Sequence, residues 1–171
     1  MQHSDSRRQR YETAVEQFSD STYRVAYRLT SDHELARELV QETFMAAWKN
    51  LDQLQNQEAM KGWLFSILRN QYSKQVGREK RNQHARIDNE SETASRPTTT
   101  KTQHEVQEAI ARLDDDQRLP LLLVSMEGWT VDEASELLAV PRGTILSRLH
   151  RARQRLKKWL APDVEMKSNE S

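Results

Sequence analysis

The sequence predicts an all-α fold of two small helical domains, and three observations carry that expectation. Four glycines and four prolines in 171 residues leave too little turn material for a strand-rich fold. Long stretches repeat apolar residues at helical spacing rather than in strict alternation. Between two such regions, "DNESETASRPTTTKTQ" (88–103) holds Ala94 as its single apolar residue and reads as a polar linker. The expected division is therefore a helical domain over 1–84, a linker over 85–103, a second helical domain over 104–161 and a polar tail over 162–171.

Composition narrows the function classes. Apolar residues make up 36 % of the chain and charged residues 30 %, which suits small domains with shallow cores. There is no cysteine, so disulfides and thiolate metal sites are excluded, and a reducing cytosol fits. No apolar run approaches the roughly 20 residues of a membrane span, and "MQHSDSRRQRYE" lacks the apolar centre of a signal peptide. A cytoplasmic protein with no membrane insertion is expected.

The formal net charge of zero hides a pattern. Residues 32–58 carry six acids against two bases, and 69–86 carry six bases against one acid. Residues 103–136 carry nine acids against two bases, and 137–162 carry seven bases and no acid. Solvated helix surfaces usually mix signs, so this segregation points to polyanion-binding faces kept apart from other contact faces.

The first helix is expected over "YETAVEQFSDSTYRVAYRL" (11–29). After "TSDH", the segment "ELARELVQETFMAAWKNL" places Leu35, Ala36, Leu39, Val40, Thr43, Ala46, Ala47 and Leu51 on one face. Glu34, Arg37, Glu38 and Gln41 share the other face with Met45 and Trp48. Either a neighbouring helix of the same domain covers those two large side chains, or they belong to a docking surface for another protein. Spacing alone does not separate the two.

The third helix, "GWLFSILRNQYSKQV", sets Leu64, Ile67, Leu68 and Gln71 against Ser66, Arg69, Asn70, Ser73 and Lys74, with Phe65 and Tyr72 at the edge. Amides, hydroxyls and cations beside aromatic rings suit a nucleic-acid surface. An ordinary amphipathic helix with core aromatics gives the same spacing and is the simpler reading from these residues alone.

The second domain is more specific. "HEVQEAIARL" is amphipathic, and Asp114 with Gln117 offers an N-cap before the apolar run "LPLLLV". Gly128 should end that helix. Thr130 and Glu133 form a capping box opening "VDEASELLA", and a tight turn over Ala139–Pro141 leads into "RGTILSRLHRARQRLKKWL". There Ile145, Leu149, Ala152 and Leu156 fall on one stripe, while Ser147, His150, Arg151, Gln154 and Lys158 face away. A short helix, a tight turn and a long basic helix make a helix-turn-helix. A basic terminal helix can also serve solubility or a membrane surface, but this apolar stripe is narrow and matched to a preceding helix.

Taken together, these motifs resemble the bacterial extracytoplasmic-function (ECF) group of RNA polymerase sigma factors over roughly 11–82 and 104–160. "ARELVQETFMAAWKNL" is similar to that family's region 2.2, "KGWLFSILRNQYSKQVGREKR" to regions 2.3 and 2.4, and "LDDDQRLPLLLVSMEGWTVDEASELLAVPRGTILSRLHRARQRL" to region 4. The resemblance implies that Glu38, Gln41 and Glu42, with Met45 and Trp48 along the same face, dock on the polymerase β′ subunit. It implies that the loop "NQEAMKG", with Asn56, Met60 and Lys61 before Trp63, captures a flipped base of the −10 element. Arg69, Asn70, Ser73 and Lys74 would hold the opened strand, and Arg78, Lys80 and Arg81 would meet phosphates. Arg142, Thr144, Ser147, Arg148 and Arg151 would read the −35 element. The implied partners are core RNA polymerase through its β′ and β subunits, promoter DNA and an anti-sigma factor. The free protein would be a monomer and would need no cofactor, because polymerase supplies the chemistry.

Four positions depart from the family pattern. Pro120 lies inside a helix, Ser135 stands where a small alanine packs, Ala139 stands where glycine often makes the turn, and Leu146 occupies an often basic position. Two other function classes remain to be weighed. A free-standing helix-turn-helix regulator would bind a duplex site alone. An enzyme would need a catalytic motif, yet the sequence has no G-x-x-x-x-G-K-[ST] or H-E-x-x-H, and His3, His33, His84, His104 and His150 show no ligand spacing.

Overall fold

The structure is a computed structural model that describes residues 2–85 and 101–161. The chain divides into two compact units, Met1–Arg96 and Pro97–Ser171. All regular elements among the described residues are helical.

The first unit holds α1 (Gln2–Thr30), α2 (His33–Asn50) and α3 (Met60–Ala85), with short 3₁₀ turns at Leu51–Gln53 and Gln57–Ala59. α1 starts well before the expected Tyr11 because its first turns have partners. The Arg7 guanidinium donates to the Trp48 carbonyl at 2.7 Å and lies 4.6 Å from the centre of the Trp48 ring. Arg10 donates to the Leu54 carbonyl at 2.7 Å and to the Gln57 side chain at 2.9 Å. Contacts so distant in sequence leave no local periodic signal.

Ser31 (φ 56°) turns the chain after α1, and Asp32 then caps α2. The Glu34 and Leu35 amides donate to the Asp32 carboxylate at 2.7 and 2.9 Å, an arrangement worth about 1 kcal/mol. Val25, Leu29, Leu39, Leu64 and Leu68 are buried. Thr22 and Thr43 are buried too, and their hydroxyls donate to the Phe18 and Leu39 carbonyls at 2.6 and 2.7 Å, so neither is left unsatisfied. Phe44 and Phe65 join this core. Phe65 is thus a packing residue rather than an edge aromatic.

The second unit holds α4 (Lys101–Ala111), α5 (Asp115–Leu121), α6 (Val131–Leu138) and α7 (Arg142–Leu160). α4 begins slightly before the expected boundary at 104. Asp114 is the N-cap residue of α5, but its side chain makes no capping bond. Its carboxylate instead accepts from Arg155 at 2.6 Å, a charge-assisted bond. Gln117 is buried. Pro120 is buried inside α5 and does not end the helix; beyond it the ladder widens into a π-turn, Leu122–Met126. The Glu127 amide there reaches back five residues to the Leu122 carbonyl at 3.1 Å. Gly128 (φ 69°) then ends the segment, with the Trp129 amide bonded to the Leu123 carbonyl at 3.0 Å.

Candidate nucleic-acid and protein-docking surfaces

The helix-turn-helix is built as its local chemistry dictates. The Glu133 amide donates to the Thr130 hydroxyl at 3.1 Å, and the Thr130 amide donates to the Glu133 carboxylate at 2.7 Å, closing the capping box of α6. Ala139 ends α6 in the left-handed region at φ 52°, ψ 43°, which costs an L-residue with a Cβ roughly 1–2 kcal/mol. α7 follows from Pro141. Its Ile145, Leu149 and Ala152 are buried in a cluster with Leu113, Leu121 and Ala134, and Leu156 packs against that cluster. The stripe read from the sequence is the one the unit buries.

This anchoring leaves Leu146, Ser147, His150, Arg151 and Gln154 exposed along α7. Among the expected −35 residues, Ser147 and Arg151 are exposed, and Thr144 is half-buried beside them in sequence. Arg142 is exposed but holds both Asp132 carboxylate oxygens at 2.6 Å. Arg148 is turned inward: its side chain keeps 22 % of its exposure and lies 3.5 Å from Asp116 of α5. Arg153 donates to the Ser125 hydroxyl at 3.1 Å. Arg151, Lys157 and Lys158 have no ion-pair partner among the described residues. Three acids of the 103–136 block, Asp114, Asp116 and Asp132, therefore pair with arginines of α7.

In the first unit, Glu38, Gln41, Glu42, Met45 and Trp48 are all exposed on α2. Met45 retains 49 % and Trp48 39 % of their accessible surface, so α1 covers Trp48 in part and both stay accessible to solvent. They border a cleft of about 490 Å³, whose other walls are Arg8, Tyr11, Glu12 and Lys49. Tyr11 packs edge-on to Trp48 at 5.0 Å and to Phe44 at 6.3 Å, and burial raises its phenol pKa. α1 thus fixes the Trp48 ring and leaves its outer part in solvent. Tyr11 and the N-terminal arginines were not legible as part of this surface, because α1 meets α2 only through tertiary packing.

The expected −10 residues divide by burial. Asn56, Asn70, Ser73, Lys74 and Arg78 are exposed, while Lys61, Trp63 and Arg69 are half-buried. Met60 is a correction: it is buried with Ala14, Leu51 and Leu54, so it anchors the loop from below and offers DNA no side chain. Asn56 accepts from the Glu58 amide at 2.9 Å and so shapes the loop itself. Arg78 lies 3.8 Å from Glu42, which brings the edges of the two expected surfaces of this unit together. The side chains of Lys80 and Arg81 lie outside the described residues.

A helical unit with an exposed acidic and apolar strip, followed by a basic helix-turn-helix unit, has the architecture of a nucleic-acid-binding protein. Residues 14–82 match Sigma-70 region 2, and residues 103–156 match Sigma-70 region 4. EcfG of Rhodopseudomonas palustris, an ECF RNA polymerase sigma factor, is 32 % identical over 81 % of this chain and 78 % of its own length. SigE of Mycolicibacterium smegmatis, another ECF sigma factor, is 31 % identical over 88 % of this chain, which spans 62 % of that relative. The sigma factor RpoE of Bartonella quintana, solved in complex with the anti-sigma factor NepR, superimposes with a TM-score of 0.74 at 29 % identity, over 90 % of this chain and 98 % of that one. The chain belongs to the ECF RNA polymerase sigma factors.

Proposed function

We propose that this chain binds core RNA polymerase through the exposed face of α2, directs it to promoters by reading a −35 element with α7 and a −10 element with α3 and its preceding loop, and favours strand opening there. The observation that carries this reading is the α2 strip. Glu38, Gln41, Glu42 and Met45 stay exposed, and Trp48 stays partly so although α1 packs on it, above a buried core. A free-standing regulator could use that strip to dimerise, but a subunit that must dock on polymerase requires one, and the match of this unit to Sigma-70 region 2 supports docking.

DNA affinity in this reading comes from cations and from the exposed N-terminus of α7, whose first amides favour a phosphate. Leu146, Ser147, His150 and Arg151 lie outward where base edges would be met. Asn70, Ser73 and Lys74 on α3 suit a separated strand. Opening needs no catalytic group in this chain. It needs binding energy that favours unstacked strands over duplex, and polymerase supplies the bond chemistry. The protein acts in the cytoplasm, where polymerase is. The complex of RpoE with NepR supports an anti-sigma partner for this chain as well, one that withholds the α2 strip or α7 from polymerase and DNA.

The test is complex formation. Purified chain mixed with core polymerase should co-elute and start transcription at a defined site on a supercoiled template that carries a terminator. A chain that binds core polymerase in no assay, or that footprints a palindromic duplex without polymerase, contradicts the reading.

A further inference from the structure

Ser135 and Ala139, two of the departures in the sequence, meet in the structure. Ala139 makes the turn between α6 and α7 in the left-handed region, with a Cβ that disfavours it. The Ser135 hydroxyl, one turn earlier on α6, donates across that turn to the Val140 carbonyl at 2.6 Å. The backbone runs in parallel: the Val140 amide donates to the Ser135 carbonyl and the Ala139 amide to the Glu136 carbonyl, both at 3.2 Å. Those backbone bonds are long and the side-chain bond is short. Val140 is followed by Pro141, which has no N–H and whose carbonyl accepts the first α7 amides, Thr144 at 2.8 Å and Ile145 at 3.2 Å. The direction in which α7 leaves the turn therefore passes through the carbonyl that Ser135 holds.

We propose that Ser135 is a positioning residue for α7, and that its hydroxyl offsets the conformational cost of alanine at 139. With glycine at 139 the turn would need no such brace. With alanine there and no hydroxyl at 135, the turn would open more often and the outward face of α7 would lose its fixed pose. The brace rests on geometry alone. Its consequence for promoter choice rests on the function proposed above.

Two readouts on the full-length chain test the proposal separately. Hydrogen exchange at the Ala139, Val140, Thr144 and Ile145 amides should quicken about fivefold in Ser135→Ala, the loss expected for one hydrogen bond, while amides of α2 stay unchanged. Ser135→Thr, which keeps the hydroxyl, should remain close to the parent, and Ser135→Ala with Ala139→Gly should return to it. With core polymerase and a promoter library randomised at both elements, Ser135→Ala should flatten the upstream preference about fivefold and spare the downstream one, with the same pattern of rescue. Unchanged exchange in Ser135→Ala overturns the brace. Faster exchange with an unchanged upstream preference overturns the positioning role. A parent chain that enriches no upstream element overturns the sigma-factor reading instead, and exchange still decides the brace.

Discussion

The exposed faces of α2 and α7 carry opposite charge, and the two units treat that charge differently. On α7, Arg142, Arg148 and Arg155 are held by Asp132, Asp116 and Asp114, and Arg153 bonds Ser125. On α2, Glu38 has no ion-pair partner among the described residues, and Glu42 has only the long contact to Arg78 at 3.8 Å. Charge counted along a chain is thus not charge available on a surface. The basic helix presents Arg151, Lys157 and Lys158 freely and the rest through exchangeable pairs. The acidic strip presents Glu38 and, through its long contact, Glu42 beside the exposed Met45 and the partly covered Trp48, while Glu34 is paired with Arg37 at 2.9 Å. A phosphate backbone tolerates exchange of ion pairs, because counterion release drives its binding. A protein partner that must be chosen once requires a fixed strip with apolar anchors.

The two units can be disabled one at a time. Leu149→Ala should leave a cavity in the α7 core and destabilise the second unit by about 2–5 kcal/mol. The buried Trp129 should report this as an earlier fluorescence transition. Core-polymerase binding through α2 should survive, and upstream promoter preference should be lost. Glu42→Arg should do the reverse. Reversing charge in the docking strip should weaken the complex with core polymerase by about tenfold or more, measured by titrating core enzyme against labelled chain, with unchanged folding of either unit. Asp116→Asn removes a partly exposed ion pair, worth on the order of 1 kcal/mol, and frees Arg148. Promoter binding by the assembled polymerase should then depend on salt more steeply, by up to about one unit of log–log slope. An unchanged slope would mean that Arg148 stays inward even without its partner.

Much of this was legible because the signals are local. The Thr130–Glu133 box, the stop at Gly128 and the Ile145–Leu149–Ala152–Leu156 stripe need only spacing and caps, and the second unit uses them as read. The polar face of α2 was equally plain, although whether a neighbour covered Met45 and Trp48 was not. What stayed hidden depends on partners distant in sequence. Arg7 and Arg10 extend α1 by reaching Trp48 and Leu54. Met60 looked like a loop residue because the contacts that bury it come from α1 and the Leu51–Leu54 segment. Asp114 looked like a side-chain cap until Arg155, at the far end of α7, took its carboxylate. Pro120 stood out in the sequence as a proline inside a helix, and the chain adapts to it through the π-turn that follows.

The proposed function divides labour between two helices, α7 selecting duplex and α3 holding opened strand. It is tested most directly by comparing Arg151→Ala and Asn70→Ala on a fully paired promoter and on the same promoter with a pre-opened bubble across the −10 region. Both residues are exposed, and neither is part of a core. Initiation by the Arg151→Ala protein should fall about tenfold on the paired template and recover substantially on the bubble. Initiation by the Asn70→Ala protein should stay impaired on both. Equal rescue of the two variants by the bubble, or rescue of Asn70→Ala alone, would contradict the assignment of opened strand to α3 and duplex to α7.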